Sequence, residues 1–337
     1  MLAQEGPVTS TESSPPQKAV RLVDSVRKAA WIIGSALITF AAFRNSVTWH
    51  LQQVWGASGD FWQRQWEKIY NFCDGNEFVI GVIGANLLAL VVFWTFNALF
   101  LLVDVTGFPQ SVLKYKIQPD ANVPVDRKKL KNAVLTVLFN QMVIGLPVCA
   151  LWFVVMRWRG CQYTPESLPT FQWVLLELLV FSLAEEFFFY YSHRTFHHPR
   201  IYRLIHKRHH EWTAPIGIIA LYAHPIEHIF SNMLPVFMGP TIMGSHMATS
   251  YLWLVLALLS TTVSHCGYHL PFLPSPEAHD FHHFKFTNNF GVLGVLDRLH
   301  GTDNHFRASK AYERHVLLLS LTPMRETIPD VVKGKKM

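Results

Sequence analysis

The sequence predicts an all-α integral membrane protein of about four transmembrane helices plus a membrane hairpin, with a cytosolic, histidine-rich helical cap. Three observations lead there. Half of the 337 residues are apolar and only 15% are charged. The apolar residues gather into runs close to the ~20 residues that cross a bilayer. Histidines recur in clusters at i, i+3 and i+4 spacing, which on a helix is one face.

Residues 1–28 are expected as a disordered cytosolic tail. The first twenty are rich in Ser, Thr, Gln and Pro and lack the apolar segment of a cleavable signal. Residues 29–170 hold the N-terminal spans and their loops. Ala29–Phe43 is a short apolar run whose length leaves a full crossing undecided. Arg44–Glu77 reads as a loop whose Trp49, Trp55, Trp62 and Trp66 suit headgroup depth. Phe78–Val103 and Ala133–Met156 are long enough to span. Residues 171–310 contain the spanning run Phe171–Tyr191, which carries Glu177, Glu185 and Glu186. Next come the Pro- and Gly-broken stretch Ala214–Gly244 and the run Met247–Val263, together a hairpin that enters and returns. Residues 311–337 form a cytosolic C-terminal tail.

The formal charge of +6 is gathered at the ends of spans, which points to a membrane and excludes nucleic acid as the partner. Lys114, Lys116, Arg127, Lys128, Lys129 and Lys131 make the loop between the second and third spans cytosolic. Counting spans from it puts both termini and all the histidine clusters in the cytosol. Lys333 and Lys335, fifth and third from the last residue, resemble a dilysine signal for return to the endoplasmic reticulum. Cys73, Cys149, Cys161 and Cys266 have no spacing of a disulfide framework or zinc knuckle.

Ten histidines stand out: His193, His197, His206, His209, His210, His265, His269, His279, His282 and His283. Neutral imidazole is the commonest protein ligand for transition metals. Ten such ligands without a thiolate suit two metals with about five each. The set is too rich in nitrogen for one structural zinc and too poor in carboxylates for calcium or magnesium. Two irons with open positions fit best, and ligand counting leaves zinc and copper open. Metal-bound histidines donate their other ring N–H to a carboxylate or carbonyl. The candidates for that role are Glu185, Glu186, Glu211, Glu227, Asp280 and Asp297, with His224, His228 and Asn289 as further supporting residues.

The boxes His193-x-x-x-His197, His206-x-x-His209-His210 and His279-x-x-His282-His283 resemble those of the membrane fatty acid hydroxylase superfamily. The strings LYAHPIEH, SHCGYHLPF, HDFHHFKFTNNFG and LDRLHGTD are closer to the C-4 methylsterol oxidase branch. The resemblance runs from about Leu175 to Asp303. Leu296, His300 and His269 depart from the sterol-oxidase pattern, without removing a box histidine. The resemblance implies a mixed-function oxidation with two Fe ions and molecular oxygen. Two electrons come from NADH or NADPH through an external reductase and cytochrome b5, since the chain has no dinucleotide fingerprint of its own. A membrane lipid is the implied substrate, a 4-methyl or 4,4-dimethyl sterol first, oxidised at C-4. A fatty acyl or sphingolipid hydroxylase or desaturase, and a non-catalytic lipid-binding or signalling protein, are the rival readings.

Overall fold

The computed structural model describes residues 17–330; for 17–26, 29, 41–52, 54, 55, 57 and 58 it describes the backbone alone. The expected tail therefore lies outside the described residues up to residue 16, and so does the dilysine motif. Contacts divide the chain into residues 1–62 and residues 63–337. The described part of the first unit is one helix, α1 (Gln17–Phe72), which runs on into the second. Residues 17–28 are thus helical, contrary to the expected tail, and so is most of the expected loop at 44–77. Ala30–Phe40 is an apolar stretch of this helix, and the expected run Ala29–Phe43 extends beyond it into residues described by backbone alone. Trp62 is exposed, but Trp66 is buried and donates to the Tyr163 carbonyl at 2.8 Å, so it packs inside the protein.

The second unit holds the remaining helices, and no strand is present among the described residues. Three helices are long and apolar enough to cross a membrane: α2 (Val79–Thr106), α3 (Arg127–Trp158) and, further on, Met247–His265. The expected fourth, α4 (Phe171–Phe196), does not meet that measure because three glutamates interrupt it. It buries Glu177 and Glu186 and exposes Leu175, Leu179, Leu183 and Phe187, so its acids face protein and its apolar side faces outward. Helix α5, at 225–243, packs most extensively against α4. A Cβ on Gly239 would stand 2.7 Å from the Phe181 Cα, so only glycine allows that approach. A left-handed turn at Gly244 leads into α6 (Met247–His265). Glu227 at the start of α5 and His265 at the end of α6 both reach the histidine cluster, the geometry expected of a hairpin. Two short helices of the cap follow, α7 (Glu277–Lys285) and α8 (Val295–His300).

A buried core of Ile216, Ile218, Ile219 and Tyr222 sits under the cap and joins Phe93 of α2, Val137 of α3 and Leu258 of α6. The cap is tied to the end of α2 by a buried ion pair. Lys116 Nζ and the Tyr268 hydroxyl both donate to Asp104 Oδ1, at 3.3 and 2.7 Å. Lys116 therefore leaves the expected row of free cytosolic charges. Lys129 does too: it donates to the Glu211 carbonyl and lies 4.1 Å from the Trp212 ring centroid. All four cysteines are free, as expected.

Removing one partner of a buried pair leaves the other charge uncompensated, at a cost of about 3–5 kcal/mol. Asp104→Ala should lower stability by about that much in thermal unfolding of the purified protein in nanodiscs. The double change Asp104→Leu/Lys116→Met should recover most of the loss.

Candidate metal centre

Nine of the ten histidines fall into two groups whose ring nitrogens lie within 4.8 Å of one another. The first holds His193, His197, His206, His210 and His282. The second holds His209, His265, His279 and His283. Each HxxHH box is divided between them. Neighbouring residues on a helical turn point about 100° apart. On the α-helical turn of α7 this separates His282, in the first group, from His283 in the second, whereas His206–Glu211 is a 3-10 turn, from which His206 and His210 join the first group and His209 the second. The clusters do not each aim in a single direction, as their spacing alone implied.

His269 stands outside both groups. It bonds to Glu277 at 3.4 Å and to the Val316 carbonyl at 3.0 Å. The i, i+4 relation to His265 needs a helix between them, but α6 ends at His265 and Gly267 turns left-handed at φ 76°. That glycine was the sequence signal for the break.

The outward nitrogens decide what the inward ones can do. Nδ1 of His193, His209, His265, His282 and His283 faces the carbonyl of Phe290, Tyr222, Thr261, Asn288 and Trp212 respectively, at 2.6 to 3.1 Å. A carbonyl only accepts, so each Nδ1 carries the proton and each Nε2 presents a lone pair. His206 Nδ1 does the same toward Glu227 Oε1 at 2.7 Å. His193 Nε2 and His206 Nε2 then face each other at 3.2 Å, two lone pairs with no proton between them. His283 Nε2 is buried without a hydrogen-bond partner. A cation at the focus of each group satisfies this arrangement, and the donor set fits a pair of transition metals.

Burial keeps the rings neutral, as ligation requires. Desolvation pushes His209 down to about 4, with the His193 ring adding to it. It carries His206, His282 and His283 well below the ordinary imidazole range, helped by neighbouring imidazoles. Phe290 closes the first group with its ring 5.0 Å from His197 and 5.7 Å from His282.

Of the carboxylates considered for the outward nitrogens, only Glu227 takes that place. Glu186 accepts from the Leu293 and Leu296 amides, and Asp297 from the Phe290 and Gly291 amides and Thr302 Oγ1. They hold the loop whose Phe290 carbonyl holds His193, one step further out. A Cβ at Gly291 would meet both carboxylates at 2.8 to 3.0 Å, so the loop requires glycine there. Asp280 accepts from Gln118 and Glu211 from Tyr222. His224 caps α5 by accepting from the Ile226 amide. Asn289 donates to the Ala278 carbonyl, His228 bonds Asn232, and Glu185 lines a cavity. The five carbonyls had no signature in the sequence, because every residue type has one.

That cavity, of about 370 Å³, is walled by Ala85 and Leu90 of α2, Gln141 of α3, Val236 and Phe237 of α5, and Leu254 and Ala257 of α6. It reaches His265 and His279 of the second group. Such a volume accommodates a small-molecule ligand.

Glu227→Ala should weaken metal binding about 10- to 100-fold in chelator competition, since it frees the His206 ring. His283→Ala should lower metal content, and His269→Gln should leave it unchanged.

Comparison with known proteins follows the same residues. Residues 178–302 match the fatty acid hydroxylase family model. The chain is 57% identical to fatty acid hydroxylase domain-containing protein 2 of Homo sapiens over 311 residues, 92% of each chain. It is 32% identical to methylsterol monooxygenase 2-2 of Arabidopsis thaliana over 71% of this chain and 92% of that one. It is also 32% identical to a very-long-chain aldehyde decarbonylase of Oryza sativa subsp. indica, over 70% of this chain and 91% of that one. No solved structure matches. With the two histidine groups on one side and relatives matched over nearly their whole length on the other, the chain belongs to the fatty acid hydroxylase family.

Proposed function

We propose that the protein is an iron- and oxygen-dependent lipid mono-oxygenase that oxidises the C-4 methyl group of sterols. The observation that carries this reading is the cavity. Its apolar part lies among helices of membrane-spanning length, and its wall includes two histidines of the second group. A lipid can keep its body among α2, α5 and α6 and present one carbon to the metals. The similarity to a methylsterol monooxygenase supports the same substrate class.

In this reading the nine histidines hold two iron ions, five and four ligands apiece. Iron held there would supply the activation of dioxygen. The balance is R–CH3 + O2 + 2e⁻ + 2H⁺ → R–CH2OH + H2O, the electrons coming from NAD(P)H through a reductase and cytochrome b5. The chain's own residues set the rest. Carbonyls and Glu227 hold the rings, Phe290 and the buried cap exclude water, and the cavity wall positions the C–H. In this reading the site lies on the cytosolic face of the endoplasmic reticulum membrane, which the exposed Arg127, Lys128 and Lys131 near the cap support.

Microsomes containing the protein, given a 4,4-dimethyl sterol, NADH, cytochrome b5 and oxygen, should yield C-4 oxidised sterol by mass spectrometry. His282→Ala should yield none. Absence of product from wild-type protein with confirmed iron would overturn the sterol assignment.

A further inference from the structure

Within the cavity, two side chains are held with hydrogen-bond donors that no protein group receives. Trp94 Nε1 donates to Gln141 Oε1 at 2.8 Å. An indole N–H only donates, so the Gln141 amide cannot be reversed, and its NH2 is directed away from Trp94. Gln141 is 8% exposed, its Nε2 has no hydrogen-bond partner, and it lines the cavity. His228 is oriented in the same manner. Asn232 Nδ2 donates to the Ala220 carbonyl and to His228 Nδ1, so His228 Nδ1 accepts and its Nε2 carries the proton. His228 also lines the cavity and is 4% exposed.

Both residues lie in π-helical turns, Asn140–Gly145 within α3 and His228–Met233 within α5, and the two turns pack against each other. Such single π turns inside α-helices concentrate at functional sites. Asn140 fixes the first turn by donating to the carbonyls of Leu221 and Ala223. An unpaired donor buried in an apolar wall is costly. Gln141 Nε2 is such a donor, and His228 stands on the wall of the same cavity.

We propose that Gln141 and His228 form a subsite that donates hydrogen bonds to an oxygen of the lipid in this cavity, and so set which carbon faces the histidine groups. The ligand class is a lipid with one acceptor oxygen inside an otherwise apolar body, a hydroxyl being the simplest. The inference rests on the reading of the cavity as the lipid site and deepens it. The oxygen could belong to a sterol or to a long-chain alcohol, and the test separates the two.

Full-length protein in nanodiscs, without reductant, is titrated with 4,4-dimethylcholestanol, its 3-deoxy counterpart 4,4-dimethylcholestane, and the pair octadecanol and octadecane. Wild type should prefer an alcohol over its matched hydrocarbon by roughly fivefold. Gln141→Met should remove most of that preference and His228→Phe should reduce it. Because Gln141→Met strands the Trp94 donor, the double variant Trp94→Phe/Gln141→Met is measured beside it and should show the same loss. If only the octadecanol pair shows a Gln141-dependent preference, the subsite stands and the sterol assignment fails. If 4,4-dimethylcholestanol binds and is oxidised but both Gln141 variants keep the wild-type preference, the subsite is wrong and the sterol assignment stands. Equal binding of alcohols and hydrocarbons by wild type, or no binding of any probe, also overturns the subsite.

Discussion

The structure depends on how the outward nitrogen of each buried imidazole is satisfied. A neutral ring has one proton and one lone pair. Wherever Nδ1 meets a carbonyl, the lone pair is committed to the opposite side. Five backbone carbonyls and Glu227 impose this on six rings, and the six lone pairs point inward. The two ligand groups are therefore a consequence of where the main chain passes. The Thr261 and Asn288 carbonyls are local to their rings, but those of Phe290 and Trp212 lie 97 and 71 residues from His193 and His283, so each group needs the tertiary fold of the cap.

Support for the carbonyls explains the placement of other polar groups. Glu186 of α4 and Asp297 of α8 spend their oxygens on backbone amides of the 290–297 loop. The Asp104–Lys116–Tyr268 cluster fixes the cap to the end of α2. Each is a buried charge with bonded partners, which is how such groups persist in an interior. The membrane part contributes through shape. Close approach of α4 and α5 at Gly239 and the π turns in α3 and α5 leave a cavity in the bundle that ends at the second histidine group.

Much of this was legible in the residues. Apolar run length determined the spans α2, α3 and α6, since crossing a bilayer is a local requirement on composition and length. It brought forward α4 too, whose three glutamates keep it below the measure that the other three meet although two of them are buried against protein. It also took the Trp-rich stretch before α2 for an interfacial loop, when Trp66 is buried against Tyr163. Histidine spacing brought forward nine residues that do converge, and Leu221–His228 was recognised as part of the same region. His269 was misplaced because spacing has meaning only while the helix lasts, and Gly267 ends it.

What the sequence determined by itself was the chemistry available: an apolar chain of spanning helices, a nitrogen-only donor set and no thiolate. These are properties of residue type and short-range period, which local geometry fixes. Tertiary structure decided how the donors were shared, five and four, and which groups would hold them. It also decided that Gln141 would face the cavity with its amide fixed by Trp94, 47 residues away in the chain. Carbonyls and amide orientations leave no mark on a sequence, because any residue can supply the one and only a distant partner can set the other.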